Sequence, residues 1–218
     1  MDAQLKKSLT GVFRDFLIYV FLCVGTFLML RIIAEYVTFS TTAGFLKQKQ
    51  DYISIPIWKA AFYTHVFSSV FTLLAGFTQF SSYILTNFKK LHKVLGRFYA
   101  WNIFLINFPS GFIMAIYANG YWPSKIAFVI LDCLWFGFTL KAVMEIKRKN
   151  VKAHQDYMIR SYALTCSALT LRTWRMVLAS LFVIDPVTLY MMDAWLGFVP
   201  NLLFAEWLIR SKRVKMLA

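Results

Sequence analysis

The sequence predicts an all-α integral membrane protein that crosses the bilayer six times with both termini in the cytoplasm. Three observations carry that expectation. Six apolar runs (Phe16–Val37, Ile57–Leu85, Phe98–Asn119, Ser124–Ile146, Tyr157–Val183 and Tyr190–Ile209) each match or exceed the ~20 residues a helix needs to cross a hydrocarbon core of roughly 30 Å. Hydrophobic residues make up 59% of the chain, with 22 Phe, and the mean hydropathy is +0.58. A water-soluble domain of this size could not keep so much apolar area off its surface.

The third observation is the alternation of charge. Basic residues cluster in the N-terminal tail (Lys6, Lys7, Arg14), the second loop (Lys89, Lys90, Lys93, Arg97), the fourth loop with its helix end (Lys141, Lys147, Arg148, Lys149, Lys152) and the C-terminal tail (Arg210, Lys212, Arg213, Lys215). The opposite side carries Lys47, Lys49, Lys59 and Lys125. The positive-inside rule puts the richer side in the cytoplasm, and an even number of spans independently puts both termini together. The net charge of +14 is therefore an orientation signal that suits anionic lipid headgroups, and nucleic acid is not the expected partner.

Taken in order, the first run follows Lys6 and Lys7 but is too long for a signal-peptide core of ~7–15 residues. It carries Arg31 and Glu35 one helical turn apart, so an uncleaved span is expected. The polar connection from Thr38 to Pro56 has room for a short surface helix. Span two bears His65, Ser69, Thr72, Gly76, Gln79 and Tyr83 at alternating intervals of four and three, which align on one helix face. Span three contains Asn107 and Pro109, and span six contains Pro200; kinks are tolerated at such positions. Span four contains Asp132. Span five repeats the four-and-three spacing through His154, Met158, Ser161, Thr165, Ala168, Arg172 and Arg175. Cys23, Cys133 and Cys166 have no motif spacing and read as small hydrophobes. No repeat or linker divides the chain, so residues 1–218 are read as one helical domain whose polar-seamed four-helix core is spans two to five.

Most Ser, Thr, Gly and Ala members of these stripes are ordinary glue between membrane helices. Ionisable members are costlier and more informative. Arg172 lies about 16 Å below the outer end of its span, and Asp132, Arg175 and His65 about 12 Å below theirs, at ~1.5 Å per residue. Asp132 is expected to pair with Arg175. One carboxylate cannot neutralise two guanidinium groups, so Arg172 would remain for a carboxylate, phosphate, haem propionate or quinone carbonyl, unless backbone carbonyls and water satisfy it. His92 and His154 precede spans three and five on the cytoplasmic side. They could supply both axial ligands of a b-type haem, with Arg97 and Arg160 on its propionates; otherwise they are interfacial histidines that cap helices or bind headgroups. The candidate cofactor-binding residues are His65, His92, Arg97, Asn107, Asp132, His154, Arg160, Arg172 and Arg175, with His92 and His154 as metal ligands only if haem iron is bound.

Several of these residues sit in short stretches: His65 with Gly76-Phe77-x-Gln79, His92-x-x-x-Gly96-Arg97-x-Tyr99, His154-x-x-x-Met158-Ile159-Arg160-Ser161-Tyr162-Ala163-Leu164, and Thr170-Leu171-Arg172. In this order they resemble a prokaryotic family of predicted membrane proteins known as domain of unknown function twenty-three hundred and six. The resemblance runs from about Phe62 to Ser180. Tyr157 departs from the Trp that often precedes Met158 in that family. The resemblance implies a four-span core with a polar seam and brings no established activity; the expected location is a bacterial cytoplasmic (inner) membrane.

The leading functional expectation is a membrane redox component that binds b-type haem or quinone between spans two and five. A small-molecule transporter or binder using the same seam is a second class, weakened by the lack of an inverted repeat or paired broken helices. An accessory subunit of a larger membrane complex is a third. No Cys-x-x-Cys, Gly-rich phosphate loop or Ser–His–Asp order points to a conventional enzyme.

Overall fold

The computed structural model describes the backbone of residues 3–217, and the side chains of that stretch outside 3–12, 14–15, 18, 77, 82 and 212–217. The tail residues Lys6, Lys7, Arg14, Lys212, Arg213 and Lys215 therefore lie outside the described side chains. Among the described residues there is no strand. The helices are α1 (Ala3–Ala34), α2 (Pro56–Gln79), α3 (Ser82–Asn87), α4 (Lys89–Asn102), α5 (Phe108–Ile116), α6 (Tyr121–Lys147), α7 (Val151–Thr165), α8 (Ser167–Leu181), α9 (Pro186–Leu196) and α10 (Val199–Leu217).

Three helical segments among the described residues, Lys89–Ile116, Tyr121–Lys147 and Pro186–Ser211, are long and apolar enough to cross a membrane. Large apolar side chains point outward along these segments and elsewhere: Trp101, Leu105, Met176, Phe204 and Trp207 are all exposed. In water such faces would associate; in a bilayer they meet lipid.

Spans three, five and six, each read as one run from hydropathy, are not single α-helices. A one-turn π segment, Ile103–Asn107, joins α4 to α5. Pro109 explains it, since proline has no N–H and its ring crowds the carbonyl four residues back. Span five breaks at Cys166 into α7 and α8. Here Thr165, Thr170 and Thr173 turn their hydroxyls onto the carbonyls of Ser161, Cys166 and Leu169, a local competition that bends helices. Span six breaks at Gly197 and Phe198 into α9 and α10. A Cβ on Gly197 would stand 3.0 Å from the Cβ of Leu171, so glycine permits α8 and the second break to approach closely. The two breaks are braced together. The Asn201 amide donates to the carbonyls of Ala163 and Gly197 and to the Thr170 hydroxyl, at 3.0, 3.2 and 3.0 Å, and Thr170 Oγ1 donates to Gly197 at 2.5 Å. Paired broken helices, which the hydropathy pattern does not reveal, are thus present.

Helix α2 packs on α1, α4 and α5, while α6 packs on α5, α7 and α9, and α8 packs chiefly on α9. The central core contains Tyr99, Ile103, Trp135, Leu164 and Phe198. Its polar groups are mutually satisfied. Tyr99 Oη meets Ser161 Oγ at 2.7 Å and Thr165 Oγ1 at 2.9 Å, Trp135 Nε1 donates to Thr165 at 3.1 Å, and Thr139 meets Ser161 at 2.7 Å. An aromatic cap of Tyr36, Trp58, Phe62 and Tyr63 surrounds Leu46 and closes one end of the bundle. It seats a short 3₁₀ helix, Gly44–Gln48, inside the polar connection where a surface helix is expected.

Candidate functional site

A cavity of about 530 Å³ lies between α1, α2, α5, α6, α8 and α9. It runs from the aromatic cap, where Glu35 and Lys49 line it, down to Thr165 and Ser167 at the break in span five. His65, Asp132, Arg172 and Arg175 all line it, so the structure brings together four of the residues singled out on spans two, four and five. Asn107 stands behind His65. It is fully buried, its side chain accepts from Ser68 Oγ at 3.2 Å, and its backbone carbonyl faces His65 Nδ1 at 3.3 Å.

The expected pairing of Asp132 with Arg175 is not formed. Arg175 Nε donates to Asp193 Oδ2 at 2.8 Å, and its guanidinium also stacks over the Tyr190 ring, 5.5 Å from the centroid. The reason is geometric. The break at Cys166 sends α8 onto α9, not onto α6, and Arg175 and Asp193 stand equally far from Ile184 along the α8–α9 hairpin. That places an intramembrane carboxylate directly opposite the arginine. Asp193 lies only three residues inside the sixth apolar run, about 4.5 Å deep at ~1.5 Å per residue against about 12 Å for Arg175, so the depth comparison that selected Asp132 passes over it.

Among the described residues, Asp132 is consequently left without a cation. It is 6% exposed, and its Oδ2 has no hydrogen-bond partner among the described residues. Asp132 approaches His65 across Gly111, where a Cβ would stand 3.0 Å from Asp132 Oδ1 and 3.3 Å from His65 Nδ1. Arg172 donates to the Ala168 carbonyl at 2.7 Å, and among the described residues no carboxylate is paired with it. Arg172 lines the cavity and retains exposed surface.

The remaining candidates lie towards the other end of the bundle and do not line this cavity. His154 Nδ1 is 2.9 Å from the Ala142 carbonyl. His92 Nδ1 is buried and has no hydrogen-bond partner among the described residues. Arg97 is exposed. Arg160 is held by Glu206, with Nη2 3.0 Å from Oε2, so its charge is already matched.

Lys49, one of the basic residues counted on the sparser side, is only 3% exposed. Its ammonium donates to the Tyr117 carbonyl at 2.5 Å and to Asn119 Oδ1 at 2.7 Å, tying the α1–α2 connection to the α5–α6 turn. The Tyr52 ring lies 5.0 Å away. Burial, reinforced by Lys125, pushes this ammonium down to about 8 from 10.5.

No curated protein and no solved structure gives a significant match to the chain. A family model does match, over residues 62–209. It takes in the motif residues from His65 to Arg172 and continues through α9, where Asp193 lies, into α10. The chain belongs to the family described as Predicted membrane protein (DUF2306).

Proposed function

We propose that the chain spans a bacterial inner membrane six times with both termini cytoplasmic, and that its cavity binds the head group of a quinone. The observation that carries the ligand reading is Arg172. A guanidinium deep between apolar helices needs a compensating group, and this one has a single backbone carbonyl among the described residues. A carbonyl oxygen of a planar, mostly apolar molecule matches it, since arginine presents a fan of donors in one plane. The surrounding walls suit a ring and the start of an apolar tail: Tyr36, Trp58, Phe62, Phe128, Trp135 and Tyr190 all line the cavity, as apolar ligand sites require.

Haem is the weaker of the two cofactor readings. Its proposed ligands His92 and His154 sit apart from the large cavity, and of the two arginines reserved for propionates one is engaged by Glu206. The paired breaks at Cys166 and Gly197 favour one second reading, a carrier for the same ligand class, because broken helices beside a mid-membrane cavity are a recurring feature of transporters.

Trp58 and Trp135 provide the test. Titration of the detergent-solubilised protein with duroquinone should quench tryptophan fluorescence saturably. Arg172→Gln should weaken that binding by about tenfold or more, the worth of a charge-assisted hydrogen bond. Purely linear quenching, unchanged in Arg172→Gln, would remove the quinone reading.

A further inference from the structure

We infer that the elbow between α3 and α4 binds one anionic phospholipid, with its phosphate held by lysines of the elbow and an acyl chain laid along α4. The elbow shares no residue with the large cavity, so this site is independent of the quinone reading.

The chain turns at Phe88, whose backbone is not helical (φ −129°, ψ 51°). A groove of about 480 Å³ opens at the turn, lined by Asn87, Phe88, Lys89, Lys90, Leu91 and Val94. Its α3 wall is fixed locally. The Asn87 amide donates to the Tyr83 carbonyl at 2.9 Å, and the Phe88 and Tyr83 rings pack with centroids 5.8 Å apart.

From the groove, α4 carries two neighbouring stripes. Lys89, Lys93 and Arg97 recur at intervals of four, and Leu91, Val94, Phe98 and Trp101 at intervals of three, four and three. Each set therefore follows one side of the helix, and all seven residues are exposed. Lys90, also exposed, falls where the stripes meet at 3.6 residues per turn. The apolar stripe belongs to Lys89–Ile116, one of the segments able to cross a membrane. From Leu91 to Trp101 it rises about 15 Å, the depth of one leaflet of a hydrocarbon core of roughly 30 Å.

The charge of the elbow is uncompensated. The sequence has no Asp or Glu between Asp51 and Asp132, and Lys89, Lys90, Lys93 and Arg97 join no ion pair among the described residues. Cations at the head of an exposed apolar stripe complement a molecule that is anionic at one end and hydrocarbon along the rest. A free phosphate would engage the lysines and leave the stripe unused. A zwitterionic lipid would cover the stripe and bring no net charge to the lysines. An anionic phospholipid does both. Lysine suits the role, because its methylene stem lies on apolar surface while the ammonium reaches a headgroup.

Native mass spectrometry of the full-length protein in detergent tests the site, with phosphatidylglycerol, phosphatidylcholine of the same chains and glycerol 3-phosphate as separate probes. Wild type should retain one phosphatidylglycerol about tenfold or more tightly than phosphatidylcholine. Lys89→Gln combined with Lys90→Gln should weaken phosphatidylglycerol binding roughly 25-fold, about fivefold for each cation, and leave phosphatidylcholine within about twofold. Lys147→Gln combined with Lys149→Gln removes an exposed pair that does not line the groove and should cost less than about threefold. Equal affinities for the two lipids in wild type would overturn the site. An equal loss in the two lysine pairs would do so as well, since charge would then act diffusely. Glycerol 3-phosphate bound as tightly as phosphatidylglycerol would also overturn it, because the apolar stripe would contribute nothing. The wild-type comparison of the three probes decides even where a variant fails to fold.

Discussion

At the scale of single residues, the charges within the bundle divide into those that are matched and those that are not. Asp193 is 1% exposed and is held by Arg175, itself about a third exposed (33%). Removing one partner of such a pair strands the other, typically at ~3–5 kcal/mol. Asp193→Asn should therefore destabilise the protein by roughly 3 kcal/mol, the lower end because Arg175 retains some solvent access. Thermal melts in detergent of Arg175→Gln, Asp193→Asn and the double variant should show strong coupling, whereas the cycle built on Asp132 and Arg175 should be additive. Coupling between Asp132 and Arg175 as large as that between Arg175 and Asp193 would contradict the observed pairing. Lys49 gives a second residue-scale expectation. Its ammonium is depressed to about 8 in the fold, against 10.5 in the free side chain. Between those values the unfolded chain binds more protons than the folded one at this position, so the contribution of Lys49 to stability rises with pH. The melting temperature of wild type should accordingly gain on that of Lys49→Met between about pH 8 and pH 10. A difference that stays constant or shrinks over this range would show that Lys49 is not depressed.

At the scale of elements, the helical class and the gathering of His65, Asp132, Arg172 and Arg175 around one cavity were legible because lipid enforces a simple rule. Polar groups on membrane helices turn inward, and helical spacing says which of them turn together. The breaks were not legible. Cys166 lies in an apolar run that hydropathy reads as continuous, and the bend comes from threonine hydroxyls satisfying carbonyls of their own helix, which leaves the apolar pattern unaltered. That bend redirected α8 to α9 and made the choice of Asp132 as the partner of Arg175 fail. Gly111 was missed for a related reason, since its importance is a distance to two side chains on other helices. The brace between the breaks is itself testable. Asn201 donates to two backbone carbonyls and the Thr170 hydroxyl, and hydrogen bonds between membrane helices are worth ~0.6 kcal/mol on average and up to about 2. Asn201→Ala should cost about 1–2 kcal/mol in unfolding by mixed micelles, with a further loss in quinone affinity because the cavity floor at Thr165 and Ser167 adjoins the first break. A variant as stable as wild type would show that backbone geometry alone sets the two breaks.

At the scale of the whole molecule, the distribution of basic side chains and the folding of the connections both bear on the proposed orientation. The α1–α2 connection is drawn into the protein, with Leu46 fully buried and Lys49 bonded across to the α5–α6 turn. It leaves few free cations on that end. Lys89, Lys90, Lys93, Lys147, Arg148 and Lys149 remain exposed at the other, where each cation near anionic headgroups contributes about 1 kcal/mol. In the orientation proposed from the positive-inside rule, this exposed cluster is cytoplasmic. Impermeant maleimide labelling of intact cells, in a background where Cys23, Cys133 and Cys166 are replaced by serine, should modify a cysteine at Lys47 and spare one at Lys149. Both sites are exposed on the protein, so a difference in labelling reports the membrane and not local burial. After permeabilisation both should react. Modification of Lys149→Cys in intact cells, with Lys47→Cys protected, would show the opposite orientation. The aromatic cap would then lie at the cytoplasmic end of the cavity. Modification of both in intact cells would show that the six-span count itself is wrong, because three crossings between these loops put them on opposite sides and only an even number would leave them on the same side.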